Sequence, residues 1–250
     1  MFLERIRVEP YLRRVRGMLD GRTVVDSERA VLLLDPQRLP VYYFPASDVT
    51  AELLADEAAE PSRSRYGEVR RWSLRSGGRL VADAAWSYPR PAEGLASLRD
   101  LVAFRWDVMD SWYEEDDEVF VHPREPYCRV DVLHSSRHVR VEVAGETVAE
   151  SSRPRMLFET GLPVRYYLPA PDVRQELLRP SATTTQCPYK GVASYWSVTV
   201  GSEVLEDVVW AYRFPVVECP KIAGLFAFYN EQVDLWVDGV LQERPKTLWS

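Results

Sequence analysis

The sequence predicts an all-β protein made of two tandem antiparallel β-sheet domains, each with one or two short helices. Two observations lead to this prediction: the chain repeats itself after 124 residues, and apolar and polar residues alternate on both sides of short glycine turns. A repeat unit of about 115 to 120 residues is large enough to bury its own core. We therefore expect residues 1–124 and 125–250 to be the two domains, with the boundary near His122–Cys128.

The duplication becomes visible when the chain is aligned with itself at a shift of 124 residues. The segment VYYFPASDVTAELL (41–54) then lies over RYYLPAPDVRQELL (165–178). Of the 42 positions from 13 to 54, 18 are identical to the residue found 124 positions later. The rare aromatic residues keep the same register: Trp72 aligns with Trp196, Trp86 with Trp210, Tyr88 with Tyr212, and Trp112 with Trp236. A tandem duplication explains this register.

In the second copy, three strand pairs are expected. The first turns at Ala144–Gly145 and the second at Gly201–Ser202, where glycine supplies the positive φ that a tight hairpin needs. Residues 225–240 resemble a third pair that ends in an Asp238–Gly239 turn. These patterns predict a predominantly antiparallel unit.

One or two short helices are expected in each copy. Asp172 precedes VRQELL and is a typical N-cap residue, and Asp48 holds the same position in the first copy. A further helical turn is expected at CPKIAGL (219–225).

Charge and hydropathy exclude several classes of partner. The chain has 31 Lys and Arg against 38 Asp and Glu, which gives 31 − 38 = −7. An acidic protein lacks the positive field that holds a polyphosphate backbone, so we expect no nucleic-acid partner. The first residues are too charged for a secretory signal, and no apolar run of about 18 residues could cross a bilayer. We therefore expect no membrane partner.

The cysteine pattern indicates a reducing compartment. Cys128, Cys187 and Cys219 are odd in number and form no CxxC pair, so a disulfide framework is not expected. Reduced thiols in the cytoplasm are the expectation.

One stretch of the second copy carries reactive groups that the first copy lacks. Cys187, Tyr189 and Lys190 belong to the sequence CPYKG, which ends in Gly191. The aligned residues of the first copy are RSRYG, so only the glycine is shared. The fold therefore requires the glycine, while the other residues are either a retained site or a diverged loop.

The candidate chemistries of this stretch are limited. Cys187 could act as a reactive thiol with Lys190 nearby, but a base would have to come from a distant residue such as His134 or His138. Cys187 and Cys219 lack the further ligands that zinc needs. With no phosphate-binding glycine loop or metal motif present, we expect neither a metal nor a cofactor.

The residue types instead favour an aromatic binding pocket in the second domain. Flat rings with one cation and a few hydrogen-bonding groups can bind a small molecule without catalytic machinery. The predicted ligand-binding residues are Tyr189, Lys190, Trp196, Asp207, Trp210 and Tyr212, with Tyr229 nearby. An inward-pointing Asp207 would need a partner, for which Lys190 or Arg165 are the candidates.

Three segments resemble a known family. CPYKGVASYWSV, EDVVWAY and IAGLFAFYNEQVDLWVDG are similar to the pattern of domain-of-unknown-function family 427, and the first copy matches it except at CPYKG. The resemblance implies a β-tent-like fold, in which two antiparallel sheets lean together, without the zinc that related domains bind through CxxC pairs. It also implies that Trp196 and Trp210 could be analogous to ligand-caging tryptophans of such relatives. A nucleotidyltransferase-like label attaches to the family, although no acidic metal pair or phosphate loop is present here.

These observations leave three hypotheses for the function. The first is a cytoplasmic small-molecule-binding protein with its pocket in the second domain. The second is an enzyme that uses Cys187 or Lys190. The third is an interaction module that binds a protein partner or forms a homo-oligomer.

Overall fold

The computed structural model describes residues 5–55 and 62–247, and the chain divides into two compact units, Met1–Glu125 and Pro126–Ser250. Both units consist of antiparallel strands and short 3₁₀ turns, which confirms the all-β prediction. The prediction that residues 1–124 and 125–250 are the domains, each able to fold by itself, stays a prediction.

The first unit is formed by two antiparallel sheets. Its strands are β1 (Arg7–Pro10), β2 (Val15–Leu19), β3 (Arg22–Ser27), β4 (Val31–Asp35), β5 (Arg38–Pro45), β6 (Glu52–Ala55), β7 (Ser62–Ser64), β8 (Gly67–Ser76), β9 (Arg79–Pro91), β10 (Leu101–Phe104), β11 (Ser111–Glu114) and β12 (Asp117–Val119). The larger sheet has the order β1-β4-β5-β10-β9-β8-β6, with β7 also paired to β8, and the smaller has the order β12-β11-β2-β3.

The second unit repeats this arrangement. Its strands are β13 (Val130–His134), β14 (Val139–Val143), β15 (Glu146–Ser151), β16 (Arg155–Glu159), β17 (Arg165–Leu168), β18 (Leu178–Cys187), β19 (Gly191–Val200), β20 (Glu203–Pro215), β21 (Phe226–Phe228), β22 (Asp234–Val237) and β23 (Val240–Leu241). The orders are β13-β16-β17-β21-β20-β19-β18 and β15-β14-β22-β23. Aligned strands of the two copies therefore occupy the same places in their sheets, as a duplication requires.

Alternation along the strands places two separate clusters of side chains in the second unit. The inter-sheet core contains residues from both sheets, including Val141, Val209 and Leu235. The outer cluster lies on the opposite face of the larger sheet, beneath the connection from β20 to β21. It contains Val132, Leu157, Tyr167, Ala193, Tyr195, Trp210, Tyr212, Cys219, Ile222 and Ala227. Successive strand residues point to opposite faces, so Val209 and Trp210 belong to different clusters.

The two predicted hairpin turns are confirmed. Ala144 and Gly145 both have positive φ, 50° and 76°, and connect β14 to β15. Gly201 has a φ of 58° and lies between the paired strands β19 and β20. Two consecutive positive φ values match the right-handed twist of the flanking strands.

The third strand pair was predicted wrongly. β21 pairs with β17 and β20 in the larger sheet, whereas β22 pairs with β14 and β23 in the smaller one. The Asp238–Gly239 turn is present, but it joins β22 to β23. The chain changes sheets between residues 228 and 234, which local alternation of residues does not reveal.

The helix expected after Asp172 is also absent as a regular helix. Separate 3₁₀ turns cover Ala170–Asp172 and Gln175–Leu177, and neither has a side-chain cap. The Asp172 carboxylate instead accepts hydrogen bonds from Ser151 and Arg153, and Asp48 binds Ser27 and Arg29 in the same way. The N-cap residue type therefore serves a cross-strand contact in both copies. The helical turn predicted near residue 220 is a 3₁₀ turn, Pro220–Ile222.

No helix in the described part of the chain is long and apolar enough to cross a membrane.

Candidate functional site

Trp210 and Tyr212 lie together in the outer cluster of the second unit, as predicted. They are neighbours on one face of β20, opposite Tyr195 and Ala193 of β19. Trp210 is 6% exposed and Tyr212 is 5% exposed. Burial raises the pKa of the Tyr212 hydroxyl above its ordinary value, so this group is neutral. Both side chains form a packed wall.

Trp210 is held by specific contacts. Its Nε1–H donates to Tyr167 Oη at 3.1 Å, and the two rings are perpendicular. The Tyr229 ring lies 4.6 Å from the Trp210 ring, centroid to centroid, and the guanidinium carbon of Arg165 lies 5.6 Å from the Trp210 centroid. Because its donor and one ring face are occupied by protein, Trp210 supports the wall of a site and leaves little surface for a ligand.

A buried ion pair fixes this aromatic group. Arg165 donates two hydrogen bonds to Glu231, at 2.6 and 2.7 Å, and Thr247 donates a third at 2.7 Å. Burial by itself would raise the pKa of Glu231, but the hydrogen bonds from Arg165 and Thr247 outweigh it and lower the pKa. Glu231 is therefore ionised at neutral pH, and Arg165 is occupied by it.

Lys190 lies in a second buried ion pair. Its ammonium donates to Glu159 of β16, and both side chains are almost fully enclosed. Burial disfavours the charged form of Lys190, but Cys187 and Glu159 beside it outweigh this effect and raise its pKa above the ordinary value. The lysine is therefore protonated at neutral pH, and its amine is not available as a nucleophile or base.

The two thiols near Lys190 differ in accessibility. Cys187 is half-buried and Cys219 is buried in the outer cluster. Burial raises the pKa of the Cys219 thiol to about 11, and the nearby Lys190 opposes this only in part. Tyr189 is also half-buried, so Cys187 and Tyr189 are the residues of the CPYKG turn that a molecule from solution can reach. Among the residues described, no group of three or more His, Cys, Asp or Glu could hold a metal ion.

Trp196 does not join the other predicted site residues. It pairs with Val209 across β19 and β20, so it faces the inter-sheet core and packs edge-on against Phe226 at 5.0 Å. Trp196 and Trp210 therefore lie on opposite faces of one sheet. The expectation that they converge on one pocket is wrong, because Trp196 pairs with Val209, and the successive residues Val209 and Trp210 point to opposite faces of the sheet.

Asp207 is also separate from the site. It occupies a β-bulge with a φ of 53°, and its backbone N–H donates to Ser197 while its carboxylate accepts from Thr183 at 2.6 Å. Hydrogen bonds from Ser181 and Thr183 lower the pKa of Asp207. Its partners are thus hydroxyl groups, and the expected pairing with Lys190 or Arg165 is wrong. The aligned Asp83 has a φ of 48°, which shows that both copies need this residue for the bulge.

The first unit has a different polar pair at the place of Lys190 and Glu159. The aligned residues are Tyr66 and Asp35, and the Tyr66 hydroxyl donates to the Asp35 carboxylate at 2.6 Å. Burial and this carboxylate raise the pKa of Tyr66 to about 12. By contrast, the tryptophan contact is kept, since Trp86 Nε1–H donates to Tyr43 Oη at 2.9 Å. Arg65, which is exposed, also contacts the Asp35 carboxylate at 3.2 Å. The copies therefore share the aromatic support and a carboxylate beneath the turn, and only the second copy buries an ammonium against it.

Three exposed apolar residues that the sequence-based prediction missed border the CPYKG turn. Val192, Phe214 and Val217 are 46%, 83% and 89% exposed, and we call them the apolar rim. They are held next to the turn because Gly191 pairs with Pro215 and the Val216 N–H donates to the Lys190 carbonyl. Exposed apolar clusters of this kind mark binding surfaces.

The aligned residues of the first unit are all charged. They are Glu68, Arg90 and Glu93, of which Arg90 and Glu68 form an ion pair at 3.3 Å. A comparison of the two copies at these three positions would have revealed the rim from sequence alone.

Comparison with known proteins places the chain in one family. A family model described as a domain of unknown function, DUF427, matches residues 7–115 and again residues 131–239. The two matches correspond to the two units and cover most of the chain. No curated protein matched the sequence.

Proposed function

Since the chain belongs to the DUF427 family and carries its domain twice, we propose that the second unit binds a small molecule at the CPYKG turn while the first unit serves as a modified copy. The binding surface in this proposal consists of Cys187, Tyr189 and the apolar rim. Trp210 and Tyr212 support it from behind.

One observation carries the proposal: the two copies share a scaffold but differ in surface chemistry at this one turn. The first unit presents charged residues, which water solvates well. The second presents a half-buried thiol, a tyrosine ring and the apolar rim, which water solvates poorly. Covering such a surface with the apolar part of a ligand releases water and is favourable.

The buried charges restrict the ligand. Lys190 and Arg165 are each paired with a carboxylate, so neither offers a free positive charge at the turn. The proposed ligand is therefore a largely apolar or aromatic molecule with few charges. A polyanion does not fit this surface.

A thermal-shift screen of the full chain against nucleosides, cyclic imides, sugars, amino acids and cofactors tests the proposal. A ligand at a hundredfold excess over its Kd stabilises the native state by about 2.7 kcal/mol, which is readily measured. We expect a hit that is lost in Phe214→Ser and Tyr189→Ala but kept in Arg90→Ser and Arg65→Ala, the aligned substitutions of the first unit. Because Phe214 is exposed, its replacement leaves folding intact.

Hits that survive both substitutions in the second unit would contradict the proposal. A screen without hits would do the same and would favour the interaction hypothesis. In that case the rim would be tested by sedimentation, since Phe214→Ser should then weaken self-association or binding to a protein partner.

The enzyme hypothesis retains one candidate nucleophile, Cys187. The protonated and paired state of Lys190 removes it as a nucleophile, which leaves the partly accessible Cys187. An ammonium beside a sulfur is an arrangement that reactive cysteines use, and it is the observation that keeps this candidate open.

A further inference from the structure

We infer that the first unit carries a separate site, a groove between β3, β6 and the end of β8 that binds the oxyanion group, phosphate or carboxylate, of a small molecule. The groove has a volume of about 460 Å³, within the range of small-molecule sites. Its lining residues are Arg22, Thr23, Thr50, Ala51, Glu52, Arg75, Ser76 and Gly77.

Arg22 supplies a free positive charge to this groove. Throughout residues 5–55 and 62–247, no carboxylate pairs with its guanidinium. Gly77 leaves the space that Arg22 occupies, because a Cβ at this position would lie 3.1 Å from Arg22 Nε. The side chain is thus placed across the β8 turn by a glycine that also has a positive φ of 57°.

Ser76 adds a neutral donor. The residue is only 7% exposed, and its hydroxyl makes no hydrogen bond with any other described residue. Its oxygen is not among the fully enclosed polar atoms of the described residues, so the hydroxyl is open to the groove and can donate to a ligand. Its position in the lining of the groove makes a bound oxyanion a suitable acceptor.

The charge balance of the groove is positive. Arg75 is paired with Glu52 through one contact of 3.2 Å between exposed side chains, which is a weak interaction that an incoming anion can replace. Two arginines against one glutamate leave a net charge of +1 in a chain whose total is −7. The nearby Asp20 is already paired with Arg79.

The second unit has lost this chemistry at the aligned positions. Glu146 replaces Arg22, Thr199 replaces Arg75 and Val200 replaces Ser76. Arg174 there pairs with both Glu146 and Glu176, so no cation is free. The cationic groove is therefore specific to the first unit and is not a by-product of the fold.

The guanidinium group selects the ligand class. Its planar fork matches the two oxygens of a phosphate or a carboxylate, and the hydroxyl of Ser76 can donate a further hydrogen bond. The modest volume restricts the ligand to a small molecule.

The test is a titration of the full chain with pyrophosphate and, separately, with succinate, followed by two-dimensional amide NMR. We expect saturable chemical-shift changes confined to residues 22–23, 50–52 and 75–77. Tighter binding of pyrophosphate would identify the ligand group as a phosphate, and tighter binding of succinate would identify it as a carboxylate. Arg22→Glu, which introduces the residue type of the second unit, should weaken binding at least about tenfold, as expected for loss of a hydrogen bond to a charged group. Arg99→Gln, which replaces an exposed arginine outside the groove, should leave the affinity unchanged.

The same spectra show whether each variant is folded. Shifts that are scattered over the surface, equal affinity in wild type and Arg22→Glu, or no saturable shift with either anion would each overturn the inference. This outcome is independent of the proposed function, since the residues tested belong to the first unit.

Discussion

Beneath the same turn, the first unit places Tyr66 against Asp35, whereas the second unit places Lys190 against Glu159. Around both pairs, the glycine that starts the next strand and the tryptophan–tyrosine hydrogen bond are kept. In the first unit the exposed Arg65 also contacts the Asp35 carboxylate at 3.2 Å, so the fold requires a hydrogen-bonded carboxylate at this position but not a buried ammonium. A buried ammonium is costly to desolvate, so its presence in one copy points to a role in the surface above it.

The largest expected effect comes from breaking these pairs. Glu159→Gln leaves the Lys190 ammonium buried without a carboxylate, which should cost about 3–5 kcal/mol in the free energy of unfolding of the second unit. Asp35→Asn leaves a neutral Tyr66 hydroxyl that can still donate and an Arg65 guanidinium that is exposed to water, and should cost only about 1 kcal/mol in the first unit. Hydrogen exchange of the full chain, read by mass spectrometry for each unit, measures both.

Exchanging the polar pair of the second unit for that of the first tests this prediction further. The double variant Glu159→Asp/Lys190→Tyr introduces the pair of the first unit and should recover most of the lost stability. Equal losses in Glu159→Gln and Asp35→Asn, or no recovery in the double variant, would show that the charge of Lys190 is irrelevant to the stability of the unit.

The features that neighbouring residues determine could be predicted from the sequence. The duplication, the hairpin turns and the need for a glycine at position 191 follow from repeats, alternation and positive φ, which neighbouring residues determine. Contacts between strands that are distant in the chain could not be predicted. Glu159 lies 31 residues from Lys190 and reaches it only because β16 and the turn meet in space. In the same way, Trp196 and Trp210 lie on opposite faces because the pairing of β19 with β20 places Trp196 beside Val209.

The shared glycine should tolerate substitution unequally in the two units. Gly67 has a φ of 134°, and a Cβ there would lie 2.4 Å from the Arg90 carbonyl oxygen. Gly191 has a φ of 102°, and its Cβ would lie 3.2 Å from the Phe214 oxygen. We expect Gly67→Ala to destabilise its unit by about 3 kcal/mol and Gly191→Ala by about 1–2 kcal/mol.

Unit-resolved hydrogen exchange measures this difference as well. A larger loss for Gly191→Ala would mean that the turn of the second unit is more tightly constrained than its contacts indicate. The CPYKG residues themselves would then have to account for the difference in stability loss between the two units.

The smallest expected effect concerns the reactivity of the thiols, and the substitution used to measure it should leave stability unaffected. Since the first unit carries no cysteine, Arg63→Cys introduces an exposed thiol at the position aligned with Cys187 and provides an internal reference. We expect Cys187 to react with iodoacetamide at pH 8 no faster than this reference, because it is half-buried and the neighbouring ammonium is already neutralised by Glu159. Cys219, with a pKa of about 11, should be far slower, since only about one thiol in a thousand is ionised at pH 8. Mass spectrometry of the alkylated peptides gives the three rates, and labelling in urea should make them equal.

If Cys187 instead reacts at least about tenfold faster than the reference, Lys190 activates the thiol in spite of its pairing. The difference between the two units would then be catalytic in origin, and the enzyme hypothesis would replace the binding proposal.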